Sequence, residues 1–179
     1  MTLDTERLTL RLWEASDFED FAAMSAEPDV MKFIAMDGKP ASRFIAWQGF
    51  CAMVGHWQLR GFGMFVVVER VTGEFVGRIG PWHPEGWPGF EVGWTIRKKF
   101  WGRGYATEAA NRCIEYAFTD LQRPHLISLI DAENTASIRV AERVGEHLEG
   151  KTILPDSQKE VLKYGLSREE WQRREPQHR

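Results

Sequence analysis

The chain has 179 residues, 43% of them hydrophobic and 27% charged, which excludes a disordered chain and leaves little room for a second folding unit. Lys plus Arg number 23 against 26 Asp plus Glu, a net charge of −3, and that balance argues against a protein held to nucleic acid by general basicity. Eight tryptophans exceed what a core of this size needs, so some of them are expected to act locally.

Taken in chain order, residues 6–13 alternate Leu8, Leu10 and Leu12 with Arg7, Thr9 and Arg11, the pattern of a half-buried strand. Ser16 reads as an N-cap, with Glu19 completing a capping box, for a helix to Met24. A second helix is expected over 42–59, ended by Gly61 and Gly63. Strands follow at 64–69 and 75–80, joined by the turn 71–74. The Pro, Trp and Gly residues of 81–89 predict a loop. Residues 90–96 predict a strand with Phe90, Val92, Trp94 and Ile96 on one face and Glu91, Gly93 and Thr95 on the other; its interior Gly93 marks a bulge or a close backbone approach.

From Ala106 to Phe118 apolar residues recur at helical spacing. A strand is expected at 125–130. Asn134 then caps a helix through Val144 that Gly145 ends. Strands near 147–151 and 160–164 precede a short helix capped by Ser167, and the tail 173–179 is expected to fray. The order implies an α/β (α+β) fold: one mixed, mostly antiparallel sheet of six to seven strands with helices on both faces. A single domain over 1–179, with its core at about 5–170, is expected.

Cys51 and Cys113 form no metal-binding cluster, no apolar run approaches a membrane span, and the charged N-terminal residues do not read as a signal peptide. A cytoplasmic protein with neither metal nor membrane partner is the expectation. Cys113 falls on the apolar face of its helix and is not read as a nucleophile.

Residues 97–109 carry the strongest chemical signal. A strand runs into a basic, glycine-containing turn and straight into a helix. Unpartnered N–H groups and the helix dipole attract anions there, and Gly102 and Gly104 let phosphate oxygens approach the backbone. Arg97, Lys98, Lys99 and Arg103 are expected to hold phosphates further out. A solvated basic turn capping a helix is the plainer alternative. The pattern is neither a GxGxxG nor a Walker sequence.

The run Trp101-Gly102-Arg103-Gly104-Tyr105-Ala106-Thr107-Glu108-Ala109 resembles the acetyl-CoA pyrophosphate loop of the GNAT acetyltransferases, and is most similar to their RimJ/RimL-like branch, which acetylates protein N-termini and small amines. Gly104 and Ala106 match the last two positions of the Q/R-x-x-G-x-G/A pattern; Trp101 stands where Gln or Arg is usual. Thr5–Arg11, Glu91-Val92-Gly93-Trp94, Glu133–Ser137 and Glu142–Gly145 match in the same order. The resemblance implies the GNAT fold and acetyl-CoA as cosubstrate, with no metal. It implies that the backbone of Trp94, Thr95 and Ile96 holds the pantetheine arm in a gap opened at Gly93. Backbone groups of Trp101, Gly102, Arg103, Gly104, Tyr105, Ala106 and Thr107 would cradle the pyrophosphate. Asn134 would meet the pantetheine and Ser137 would lie near the sulfur. For Asn134 and Ser137, ordinary N-cap chemistry is the competing explanation.

The implied reaction is attack of a neutral amine on a thioester. For a lysine-like amine of pKa ~10.4, losing the proton at pH 7 costs roughly 4.6 kcal/mol, but only about 1 kcal/mol for an α-amine near ~7.8. Glu91 is the candidate base, with His83 second. A strand glutamate facing solvent or pairing with an arginine is the alternative for Glu91. Ser137 is the candidate acid, and a backbone N–H near Trp94 to Ile96 the candidate oxyanion donor. The acceptor is expected to be a small-molecule amine or a protein N-terminus, against an aromatic wall of Phe33, Trp47, Trp57, Trp82, His83, Trp87 and Phe90, though the same rings could simply fill a core. A monomer or homodimer is expected. Two alternatives stay open: a CoA-binding regulatory or degenerate protein without turnover, and, disfavoured by charge, a nucleic-acid binder using the Arg97–Arg103 cluster.

Overall fold

A computed structural model describes residues 1–155 and 157–174; the part of the expected frayed tail from residue 175 onward lies outside them. The described residues form strands β1 (Thr2–Asp4), β2 (Leu8–Arg11), β3 (Phe65–Glu69), β4 (Phe75–Trp82), β5 (Glu91–Ile96), β6 (His125–Ile130), β7 (His147–Ile153) and β8 (Glu160–Ser167). The helices are α1 (Phe18–Ser25), α2 (Pro28–Met31), α3 (Arg43–Arg60), α4 (Tyr105–Thr119), α5 (Thr135–Val144) and α6 (Arg168–Arg173). All eight strands join one sheet in the order β1-β2-β3-β4-β5-β6-β8-β7. Every pairing is antiparallel except β5 with β6.

The sheet exceeds the expected six to seven strands because Thr2–Asp4 folds back on β2, with Leu3 opposite Leu10. The Ser16–Glu19 capping box does not form. A short 3-10 turn (Ala15–Asp17) precedes α1, and the box is made one step earlier by Glu14 and Asp17. Asp17 is also clamped by the Arg11 guanidinium at 2.6 and 2.8 Å, an ion pair that sequence spacing does not reveal. Strand β4 runs through Pro81 to Trp82, where a loop was expected. Pro81 lies beyond Ile79, the last residue opposite β3, so its missing N–H takes no bond from that ladder.

Helix α4 lays its apolar face on β4 and β5. Ala109, Ala110, Cys113 and Ala117 are fully buried there beside Ile79 and Val92. Burial pushes the Cys113 thiol up, away from nucleophilic chemistry. On the opposite face Phe21, Met24 and Phe50 of α1 and α3 close over Val66 and Phe75. The β5–β6 pair is the shortest ladder in the sheet: its register is confined to Glu91↔Ile127. Beyond it the strands part, and two cavities open at that split.

Candidate active site

Beside a ladder bond from the Ile127 N–H to the Phe90 carbonyl at 2.9 Å, side chains hold the β5–β6 split. Ser128 Oγ on β6 donates to the Val92 carbonyl of β5 at 2.8 Å. The Glu91 carboxylate of β5 lies toward the Leu129 backbone of β6, which favours its charged form. Phe90 and Val92 both turn their carbonyls toward β6, so strand alternation presents the Trp94 N–H to the open gap and turns the Thr95 amide to β4. The Ile96 carbonyl is taken by the Trp101 indole N–H at 2.7 Å. Of the three residues expected to present backbone to a pantetheine arm, Trp94 keeps both groups free. Thr95 reaches the cavities through its buried side chain.

One cavity, of about 500 Å³, runs over the N-terminus of α4 between Trp101, Gly102, Gly104, Tyr105, Ala106 and Thr107 and the α5 residues Asn134, Ser137, Arg139 and Arg143. Gly102 and Gly104 have φ of +76 and +81, left-handed backbone that favours glycine. Gly104 is the N-cap of α4 and supplies no side chain to its first-turn N–H groups. These groups are open to an anion. Glu108 fastens the loop from behind: it accepts from Thr5 Oγ1 at 2.6 Å, the Arg7 backbone N–H at 2.9 Å and Arg7 Nε at 2.7 Å.

The four cations expected to reach the phosphates are all engaged. Arg97 pairs with Glu27 and Asp20, Lys98 with Asp29, Lys99 with Glu74 and, more loosely at 3.6 Å, Arg103 with Glu69. Instead, Arg139 and Arg143 line the groove from α5 without an ion pair among the described residues. Their spacing of four places both on one helix face, a signal present in the sequence that the basic turn overshadowed.

The second cavity, of about 260 Å³, lies on the α1–α3 face of the split. It is lined by Glu91, Trp82, Trp87, Met53, Met64 and Arg78, and shares Phe33, Ile34, Trp94, Thr95, Asn134 and Ser137 with the groove. The two cavities therefore meet at those six residues. Asn134 caps α5, its Oδ1 accepting the Ser137 N–H at 3.2 Å. Ser137 Oγ accepts the Trp94 indole N–H at 3.2 Å, which leaves the serine O–H available to donate. The cap role is thus real, and it faces both residues to the junction.

Glu91 does not face solvent. It is 8% exposed, and Trp87 Nε1 donates to its Oε2 at 2.7 Å. Burial raises its pKa to about 7, against the opposing pull of Trp87, Leu129 and the Arg78 charge. His83 lines neither cavity. It packs edge-on against Phe90, its backbone N–H donates to His56 Nε2, and burial lowers its pKa. Of the expected aromatic wall, Phe33, Trp82 and Trp87 line the acceptor-side cavity. Trp57 instead ties its indole to the Met64 carbonyl, Trp47 lies against Phe18 and Phe50, and Phe90 packs on Phe62.

Residues 7–147 match the family model described as an acetyltransferase (GNAT) domain. The chain is 34% identical over 158 residues to the uncharacterized protein YkkB of Bacillus subtilis, covering 84% of this chain and 87% of that protein. It is 30% identical over 160 residues to the uncharacterized N-acetyltransferase p20 of Bacillus licheniformis, covering 88% of each. Among solved structures, an acetyltransferase from Agrobacterium tumefaciens superposes with a TM-score of 0.82 at 34% identity, covering 93% of this chain and 94% of that one.

Proposed function

The chain belongs to the GNAT acetyltransferase family and transfers an acetyl group from acetyl-CoA to an amine; from that premise we propose which of its residues do so. Acetyl-CoA supplies the activated acetyl group as a thioester. The uncapped first turn of α4, the Cβ-free approach at Gly102 and Gly104, and the unpaired Arg139 and Arg143 fit its phosphates. The free Trp94 amide and the Asn134 side chain fit the pantetheine arm.

The observation that carries this assignment is the junction of the two cavities, where Trp94, Thr95, Asn134 and Ser137 stand with Phe33 and Ile34 in both linings. A thioester threaded through the groove reaches the acceptor-side cavity there. Glu91, with its pKa near 7, takes the proton from the acceptor's ammonium, directly or through a water. The amine nitrogen then bonds to the thioester carbon. The Trp94 N–H faces the gap in which the oxyanion develops. As the C–S bond breaks, the Ser137 O–H supplies a proton to the departing thiolate and is reprotonated by the second proton shed from the acylated nitrogen; the thiol's pKa of ~8.5 makes that help useful without being indispensable. The acceptor is a small amine or a peptide N-terminus, and the enzyme works in the cytoplasm.

Thiol release from acetyl-CoA over a panel of amines and peptides tests this. Turnover is expected, with kcat/KM rising through pH about 7. In Glu91→Gln that limb should vanish, with CoA binding kept and the rate down by about 100-fold, the usual size of one general base. An unchanged pH profile in that variant would remove Glu91 as the base.

A further inference from the structure

The acceptor-side cavity holds one group that acetyl transfer itself does not use. Arg78 lies on β4 opposite Thr95, and the register continues Gly80↔Gly93 and Trp82↔Glu91. Arg78, Thr95, Trp82 and Glu91 therefore share one face of the sheet, with two paired glycines as a floor between them. No side chain rises from that floor, and Met64 closes over it: a Cβ on Gly93 would meet the Met64 methyl at 2.8 Å.

The Arg78 guanidinium has five N–H donors. Its partners are the sulfurs of Met53 at 3.3 Å and Met64 at 3.1 Å, which accept only weakly. Among the described residues it forms no ion pair, whereas Arg7, Arg11, Arg43 and Arg97 are each closed by a carboxylate. The two carboxylates of the same cavity are committed elsewhere. Glu91 is held by Trp87, and Asp131 pairs with Lys159. Burial lowers the Arg78 pKa to about 10, so the group stays cationic at neutral pH. Glu91 acts on it only through space; an enclosed cation with no carboxylate in direct contact is costly, and here it faces the space an acceptor would fill.

We propose that Arg78 is the anion-binding residue of the acceptor cavity, and that the acceptor is an amine that also bears a carboxylate. The amino group points to Glu91 and the carboxylate lies on the guanidinium, where a bidentate, charge-assisted contact replaces the thioether contacts. Four residues of register separate the levels of Glu91 and Arg78, ~13 Å between Cα levels at ~3.3 Å per residue. The Arg and Glu side chains shorten that span to one suited to a compact zwitterion such as an amino acid. The same cation disfavours a polyamine, whose tail is positive. This inference rests on reading the Glu91 cavity as the acceptor site.

The test measures thiol release with matched acceptors: amino acids against their decarboxylated amines and amides (phenylalanine, phenethylamine and phenylalaninamide as one set), with spermidine and a neutral-tailed peptide amide alongside. The carboxylate-bearing member should have a kcat/KM at least about tenfold higher. In Arg78→Met that ratio should fall toward one, and Arg78→Lys should keep part of it. The wild-type ratio and the Lys variant decide the matter even if the Met variant fails to fold. Wild-type enzyme that prefers spermidine, amides or decarboxylated amines overturns the inference, as does a ratio that survives in Arg78→Met. Turnover without carboxylate preference removes only this inference. No thiol release from any amine, with CoA still bound, removes acetyl transfer as well.

Discussion

Glu146 shows what burial does to a single carboxyl group. It follows the helix-ending Gly145, is 4% exposed, and has one oxygen 2.9 Å from Ser128 Oγ and the other without a partner. Burial raises its pKa to about 8, and the nearby charges of Glu91 and Glu149 push the same way. The folded state thus holds a proton that the unfolded chain gives up near the ordinary 4.5. Between those two values the native state binds more protons, so stability falls as pH rises from about 4.5 to about 8. Glu146→Gln should remove that contribution, and urea melts should find the variant more stable than wild type at pH 9, on the order of a few kcal/mol. The two proteins should converge near pH 4.5. Parallel stability curves across that range would rule out a neutral native carboxyl. Glu91 is subject to the same burial but sits in the cavity wall, so its raised pKa serves as a poised base. Glu91 was legible from its motif as a candidate base; that Glu146 is buried was not, because burial there depends on Ser128 arriving from β6.

At the scale of elements, the proposed CoA groove is divided between the α4 entrance and α5. The glycine turn offers backbone donors, and α5 offers Asn134, Ser137 and two arginines without an ion pair among the described residues. Gly104 is the sensitive point. Its φ of +81 strains any β-branched replacement, and a Cβ there would lie 3.5 Å from the Arg7 guanidinium that fastens the loop, so a larger side chain would displace the turn and its backbone donors. Gly104→Val should therefore cost about 1 kcal/mol of stability from the left-handed backbone and abolish stabilisation by CoA, while wild type keeps it in the same thermal-shift assay. A Val variant that still shifts with CoA would move the phosphate site elsewhere. The turn itself was readable from its spacing. The role of the basic residues was not, since Glu27, Asp20, Asp29, Glu74 and Glu69 reach them only once α1, α2, β3 and β4 are in place. Sequence shows a cation's charge but not whether the fold has already neutralised it.

Across the whole molecule, one interrupted strand pair organises the chemistry. Because β5 and β6 touch at a single register position, the groove and the acceptor-side cavity open on either side of one split and meet at Trp94. A ligand bound there should stabilise the entire domain: at 100 times its Kd, CoA is expected to add about 2.7 kcal/mol, seen as a rise in Tm that grows with concentration. No shift at millimolar CoA would contradict the groove assignment. The tryptophans follow the same geography. Trp94 and Trp101 border the groove and Trp82 and Trp87 the acceptor-side cavity, while Trp13 and Trp57 both donate to the Met64 carbonyl and Trp171 packs on Phe118. The sequence by itself determined the strand and helix order, the glycine turn ahead of α4 and the family, because periodicity, glycine placement and motif order are local properties of the chain. Tertiary structure alone decided which cations are paired, which aromatics face a cavity, and that Arg78 has no carboxylate in direct contact among the described residues, because pairing and burial depend on residues far apart in the chain.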